Sequence, residues 1–297
     1  MRLAIASCRQ LPAWEKDDLP LIEALQDLGA AVDTVAWDDT AVHFGDYDAC
    51  LIRTTWDYWD DGQGGDRRDE FIAWVEQVGG LTRLFNPPSI IRWNTHKRYL
   101  RDLEVAGARL VPTLWLPRAS AVDVASVLRE RGWSRGFIKP QVGACARGTL
   151  RFSADEPGLA AAQAHLDQYL AREDMMLQPY LHRVETEGET SLIFFDGVFS
   201  HAVQKIPVPG DYRVQDDFGA SDRPAQVSAQ QIRGASSLVA AAGGEHSPLL
   251  YVRVDMMRDN QGRWVLGELE AVEPSLFFRH DPAAAGRLAS ALLRRLR

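Results

Sequence analysis

The sequence predicts an α/β protein of three lobes, a parallel α/β domain followed by two α+β lobes. Three observations carry this expectation. The first third alternates short apolar strands with amphipathic helices, the pattern of a parallel sheet with crossover connections. The middle alternates strands and helices around one turn-rich loop. The last third holds two hairpins with strong turn signals, at Asp196-Gly197 and from Asp259 to Gly262.

In chain order, Leu3 to Ala6 reads as a strand, and Asp18 caps a helix running to Gly29. Ala31 to Trp37 and Ala49 to Arg53 are further strands. A polar, Gly-rich loop from Asp60 to Asp66 precedes an amphipathic helix, Phe71 to Val78, and Asn86-Pro87-Pro88 punctuates the chain. Residues 1–93 are therefore assigned to a first domain. Asn94 is expected to cap a linking helix, Thr95 to Val105, that stops at Gly107, so residues 94–110 bridge the lobes.

The middle lobe, 111–180, begins with a strand from Thr113 to Leu116 and a helix from Val122 to Arg131. Strands Phe137 to Lys139 and Thr149 to Phe152, helix Leu159 to Leu170 and strand Met175 to Gln178 follow. The third lobe, 181–297, adds to its hairpins a helix near Ala229 to Ala242 and a terminal helix from Ala283 to Leu296. The chain has no internal repeat.

With 297 residues, 46% of them hydrophobic, the chain can bury one large core or two to three smaller ones. A net charge of -8, a pI near 5.4 and no Lys/Arg stripe argue against a nucleic-acid partner. The amino terminus meets Glu15, Lys16, Asp17 and Asp18 too early for a signal peptide. No apolar run is long enough for a bilayer, so a cytoplasmic location and no membrane partner are expected. Cys8, Cys50 and Cys145 are an odd number without CxxC spacing, which disfavours a disulfide framework and a structural zinc site.

The most informative local feature is the hairpin Tyr251 to Glu270. Strand residues two apart share a face, so Arg253 and Asp255 project together, as do Glu268 and Glu270. Folding about Asn260 and Gln261 sets Asp255 roughly opposite Gly267 and Glu268, with Val252, Val254, Leu269 and Ala271 on the other face. Three carboxylates and one guanidinium then share a patch. Carboxylates facing each other across strands repel unless a cation sits between them. Mg2+ typically takes one or two carboxylates plus substrate phosphates; a solvated polar face is the competing reading.

Lys139 stands at a strand end before Pro140 and a loop of small residues, Gly143 to Gly148. Such a loop can bring backbone N–H groups close to phosphate oxygens, with the lysine as a point charge. An ordinary hairpin loop fits the same residues. Met176 to Leu181 is an apolar strand entering a proline turn, with Glu185 just beyond; a lobe hinge of this kind can also seat a purine and its ribose. Lys205 and Arg213 flank Pro207 to Asp211, with Asp216-Asp217-Phe218-Gly219 beyond. They are either solvated loop charges or cations on a mobile flap serving a transferring phosphoryl group.

Taken in order, Lys97, Lys139-Pro140 with its glycine loop, Gln178-Pro179-Tyr180-Leu181, Glu185, Lys205, Arg213, Arg253/Asp255 and Glu268/Glu270 resemble the ATP-grasp superfamily over nearly the whole chain. The layout is similar to glutathione synthetase-like ligases. Arg53-Thr-Thr-Trp56-Asp57-Tyr58, Gly188-Glu-Thr-Ser191-Leu, Ser200-His201-Ala-Val-Gln-Lys205 and Glu273-Pro-Ser275-Leu-Phe look like the D-cycloserine synthetase group, whose members are O-ureido-serine cyclo-ligases.

The resemblance implies that three lobes clasp ATP, with one or two Mg2+. It implies that Lys97, Lys139 and Gly143 hold the phosphates, that Gln178, Tyr180 and Leu181 line the adenine site, and that Glu185 binds ribose. Asp255, Glu268 and Glu270 would carry the metal, and Lys205, Arg213 and Arg253 would neutralise the γ-phosphate and an acyl phosphate. Two positions depart from the wider pattern: Glu270 stands where many ATP-grasp enzymes have Asn, and Ser191 where glutathione synthetases commonly have Arg.

A substrate of small, amino-acid-like type is expected. Arg53, at a strand end where ligands gather in parallel sheets, is a candidate for its carboxylate. Glu273 and Ser275 are candidates for its amine, and Ser200 and His201 are substrate or structural residues. An intermolecular amino-acid or peptide ligase would use the same ATP chemistry. A non-catalytic ATP-binding regulatory module is a third reading, which the pairing of Glu268 with Glu270 disfavours. The sequence does not fix the oligomeric state; homodimers are common among such enzymes.

Overall fold

The computed structural model describes residues 1–11, 16–59, 66–215, 218–244 and 248–297. Most of the Asp60 to Asp66 loop, and Asp216 and Asp217 of the expected flap, lie outside the described residues.

Three sheets organise the chain. The first is parallel, in the order β2-β1-β3-β4, from β1 (Arg2–Ser7), β2 (Ala31–Ala36), β3 (Ala49–Thr54) and β4 (Arg83–Phe85). Helix α1 (Leu19–Asp27) covers one face. Helix α2 (Arg68–Leu81) covers the other, where Trp37, Phe71 and Trp74 pack edge-on and stacked. Short helices α3 (Pro88–Asn94) and α4 (Tyr99–Val105) lead out of it.

The second sheet is antiparallel, β5-β8-β6-β7, built from β5 (Leu114–Leu116), β6 (Arg135–Pro140), β7 (Leu150–Ser153) and β8 (Met175–Pro179). Helices α5 (Val124–Arg131) and α6 (Glu156–Leu170) close its core around Ile138, Leu166 and Leu177. Asp123 and Asp155 accept backbone N–H bonds at the two helix starts, which fixes where each begins.

A four-residue helix, α7 (Val184–Glu187), opens the third part of the chain. Its antiparallel sheet runs β11-β10-β9-β12-β13, from β9 (Glu189–Phe195), β10 (Val198–Ile206), β11 (Ser221–Pro224), β12 (Tyr251–Arg258) and β13 (Trp264–Glu270). Helices α8 (Ala229–Gly243) and α9 (Ala284–Leu296) lie against it. Both faces of β9 are buried: Leu192 and Phe194 pack toward α8, Ile193 and Phe195 toward α9. Helix α9 also packs on α1, so Leu3, Ile5, Leu21, Tyr251 and Leu288 share one continuous core between the first and third sheets. No helix among the described residues is long and apolar enough to cross a membrane.

Three local expectations change. Asn94 does not cap a helix; it ends α3, and its amide donates to the Leu269 carbonyl at 2.7 Å and accepts from the Ala271 N–H at 2.7 Å. Those bonds pin the helix end to the outer edge of β13, so the expected linking helix is broken at Thr95 to Arg98. Asp18 sits at the helix N-cap position, but its carboxylate turns to Arg53 and makes no side-chain cap bond. Finally, β4 and β11, of three and four residues, escape the sequence patterns because neither is long enough to show an alternation.

The start of β9 depends on glycine. Gly188 has φ +67, and a Cβ there would come within 2.0 Å of the Lys205 carbonyl oxygen. Gly188→Ala is expected to destabilise the fold by about 1–3 kcal/mol, read as a lowered urea midpoint. An unchanged midpoint would mean the two strands can part without cost.

Candidate functional site

A cavity of about 430 Å3 lies where the three sheets meet. Its polar wall is the β12–β13 hairpin. The register sets Arg253 opposite Glu270 and Asp255 opposite Glu268, and a bulge follows, so that Gly267 is the extra residue before Met256 meets Leu266. Arg253, Asp255, Glu268 and Glu270 therefore all line one cavity.

Each of these carboxylates meets a basic side chain. Asp255 is 2% exposed; it accepts from Arg253 at 2.9 Å and from the Ser191 hydroxyl at 2.6 Å, with Lys205 3.5 Å away. Glu268 pairs with Lys139 at 2.9 Å and Lys97 at 3.6 Å, and Glu270 pairs with Arg253. Lys205 also pairs with Glu189, a buried carboxylate on β9 that sequence reasoning missed.

The charges are unevenly balanced. Burial works to raise the pKa of Glu268, but Lys139 and Lys97 outweigh it and hold the group down at about 2. Burial likewise opposes ionisation of Asp255, and Arg253 and Lys205 override it. Glu270 goes the other way: burial, with the charges of Asp255 and Glu268, pushes it up to about 7 despite Arg253.

No three acidic, histidine or cysteine side chains among the described residues form a ready metal cage. The donor set nevertheless suits magnesium. Two facing carboxylates and a third two residues along the strand are hard oxygen donors open to a cavity, and Mg2+ usually completes its shell with phosphates and water. A carboxylate held proton-prone by burial and by neighbouring negative charge, as Glu270 is, is a site that a cation relieves.

The wall expected to face phosphate is built by β6 and the loop after it. Lys139 projects from β6, and Lys97 reaches across to the Gly143 carbonyl at 2.7 Å. The loop is held by Arg147, which donates to both oxygens of Glu173 at 3.0 and 2.9 Å. Gly143 to Arg147 all line the cavity.

The side chains expected at the adenine and ribose lie outside the lining of this cavity. Gln178 donates to the Thr113 hydroxyl at 2.8 Å, and Leu181 packs with Val111 and Val265. Tyr180 donates to Glu185 at 2.6 Å, and Arg151 and Arg135 hold the same carboxylate at 3.0 and 3.4 Å. None of the four side chains lines the cavity, because Val184, Val214, Phe137 and Tyr212 pack against Tyr180 and form the wall in front of it. Arg213 lines the cavity, but its guanidinium is held by Asp211 at 2.7 Å, which keeps that carboxyl down at about 2.

Three substrate candidates lie outside the lining of this cavity. Arg53 is 1% exposed, ion-paired with Asp18 at 2.9 Å and donating to the Pro274 carbonyl at 2.8 Å; it does not reach the cavity. His201 reaches the Leu276 carbonyl at 2.9 Å, and Ser200 is bonded to His201 and Arg287. These three residues support the chain beneath the site. Glu273 and Ser275 do line the cavity, together with Trp56 and Tyr58 from the phrase that begins at Arg53, and with Asp17 and Arg279, which no sequence motif singled out.

The supports form a strap. Six successive backbone carbonyls, 271 to 276, each meet a different side chain: Asn86 at 2.8 Å, Tyr251 at 2.9 Å, Trp56 at 3.2 Å, Arg53 at 2.8 Å, Arg253 at 3.1 Å and His201 at 2.9 Å. The segment has no strand partner for these groups, so side chains satisfy them.

Comparison with known proteins places this geometry. A family model described as the N-terminal domain of D-cycloserine synthetase DcsG matches residues 3–86. The cycloserine biosynthesis protein DcsG of Streptomyces lavendulae is 34% identical over 292 residues, covering 94% of this chain and 93% of that protein. The crystal structure of D-cycloserine synthetase DcsG superposes with a TM-score of 0.88 at 30% identity, covering 100% of both chains. The ATP-grasp ligase PsnB, solved with a variant of its minimal precursor, Mg and ADP, shares the fold at a TM-score of 0.68 and 15% identity, over 99% of this chain and 98% of that one.

Proposed function

Since the chain belongs to the D-cycloserine synthetase family of ATP-grasp ligases, we propose that it uses Mg-ATP to activate the carboxylate of O-ureido-D-serine and closes that molecule into D-cycloserine. One observation carries the reading: Lys97, Lys139, Lys205 and Arg253 converge with Asp255, Glu268 and Glu270 on a single cavity. Cations interleaved with hard oxygen donors are what phosphoryl transfer needs, because catalysis there is positioning and charge stabilisation.

The triphosphate lies along the Gly143 loop, with Lys97 and Lys139 released from Glu268 to its oxygens. Phe137, Val184, Met257 and Leu269 offer the apolar wall for the base. Magnesium, bound by Asp255, Glu268 and Glu270, would neutralise charge on the terminal phosphates. Lys205 and Arg253, both held in place by buried carboxylates, face the γ-phosphoryl group, and Arg213 joins them once it leaves Asp211.

A substrate carboxylate oxygen attacks the γ-phosphorus, ADP leaves, and an acyl phosphate results. The oxygen-bound nitrogen of the ureido group then attacks the acyl carbon and phosphate departs. Water removes the carbamoyl group as carbon dioxide and ammonia. Ring closure is intramolecular, so the protein's work is to hold one conformer and keep bulk water out.

Incubation with ATP, Mg2+ and O-ureido-D-serine is expected to give equimolar ADP, phosphate and a product of the mass of cycloserine. ADP without that product, or formed only when a second amino acid is added, would transfer the reading to an intermolecular ligase.

A further inference from the structure

Six carboxylates line the cavity: Asp17, Glu189, Asp255, Glu268, Glu270 and Glu273. Five are ion-paired: Asp17 with Arg279, Glu189 with Lys205, and the three hairpin acids as described. Glu273 is the exception, with no Lys, Arg or His partner within ion-pair distance among the described residues. A half-buried carboxyl on a cavity wall with no ion-pair partner among the described residues, and only the more distant charges of Lys97 and Arg53 to favour its ionised form, is complementary to a cation from elsewhere.

Its surroundings narrow what that cation is. The Tyr58 hydroxyl is set against the carboxyl, and Trp56 binds the Glu273 carbonyl through its indole N–H at 3.2 Å, so two rings of the first domain flank the group. The backbone beneath is held by the strap, which fixes where the carboxyl points. Glu273 lies three residues beyond Glu270, on the cavity wall next to the end of the metal hairpin. A primary ammonium can pair with the Glu273 carboxyl and lie against the faces of the two rings, and in an amino acid it sits one carbon from the carboxylate.

Resting on the function proposed above, we infer that Glu273, flanked by Trp56 and Tyr58, is the subsite that receives the α-ammonium group of an amino-acid substrate and so selects amino acids over simple carboxylic acids. This subsite orients the α-carbon while the neighbouring carboxylate faces the γ-phosphate.

The test compares O-ureido-D-serine with 3-(ureidooxy)propanoate, the same molecule without the amino group. The native enzyme should favour the amine by a ratio of kcat/KM that Glu273→Gln reduces about 10- to 100-fold. Glu273→Asp, which keeps the charge, should retain part of the preference. If Glu273 only supports the fold, both substrates slow together and the ratio stays at its native value, which overturns the subsite. Should the native protein turn over neither compound, their binding in the presence of ADP and Mg2+ decides. Tighter binding of the amine, lost in Glu273→Gln, keeps the subsite and removes the cyclisation reading; equal binding removes the subsite itself.

Discussion

Asp255→Asn is expected to cut kcat by about 10²- to 10³-fold, the loss seen when one group is taken from a preorganised charge-stabilising site. Asp255 is the hub of the cavity: Arg253, Lys205 and Ser191 all point at it, and it is all but excluded from solvent. An amide of the same shape keeps a hydrogen bond to Arg253 but leaves two buried cations short of one negative charge. Stability should fall as well, by about 3 kcal/mol, since breaking a buried pair strands the remaining charge. The two effects separate if activity is measured well below the variant's melting temperature. A kcat within about fivefold of native would remove Asp255 from the reacting centre, whatever the melting curve shows.

The second large effect is far from the chemistry. Arg53→Met should cost about 3–5 kcal/mol, because it takes the buried Arg53 guanidinium from the Asp18 carboxylate and frees the Pro274 carbonyl. Thermal unfolding of the variant and of the double substitution Asp18→Asn/Arg53→Met gives the check. The double variant should recover part of the loss, since its carboxylate charge is gone. If the two substitutions simply add, the pair is not coupled and the burial argument fails. In active protein, the substitution should raise KM for the amino-acid substrate more than KM for ATP, since Pro274 adjoins Glu273 and not the phosphate loop.

The local parts of this site were legible because strand physics is local. Alternation along Tyr251 to Glu270 with a turn at Asn260-Gln261 set Asp255 roughly opposite Gly267 and Glu268, and the structure resolves this into an Asp255–Glu268 pair with Gly267 as the extra residue. The two helices of the middle part of the chain were also near their observed bounds, because each carries an apolar stripe and an aspartate at its start. What escaped was long-range. Arg53 ends a strand as expected, but only the packed structure shows that Asp18 and Pro274 close over it. Arg279 carries no motif, Trp56 and Tyr58 stood in a phrase that gave them no role of their own, and the place of all three on the cavity follows from the docking of the first sheet against the third. The hinge residues Gln178, Tyr180, Leu181 and Glu185 were read from order along the chain, which does not reveal that Tyr212 and Val214 pack against Tyr180.

The six clasped carbonyls of 271 to 276 act as a fixed rail. Because the path of the backbone is set by side chains drawn from residues 53 to 253, it does not depend on what residues 273 and 275 themselves carry into the cavity. Outward-facing groups on such a rail are interchangeable parts. On the proposed function, substitution at positions 273 and 275 alone would retune which small acid is accepted, while the hairpin a few residues upstream keeps its geometry.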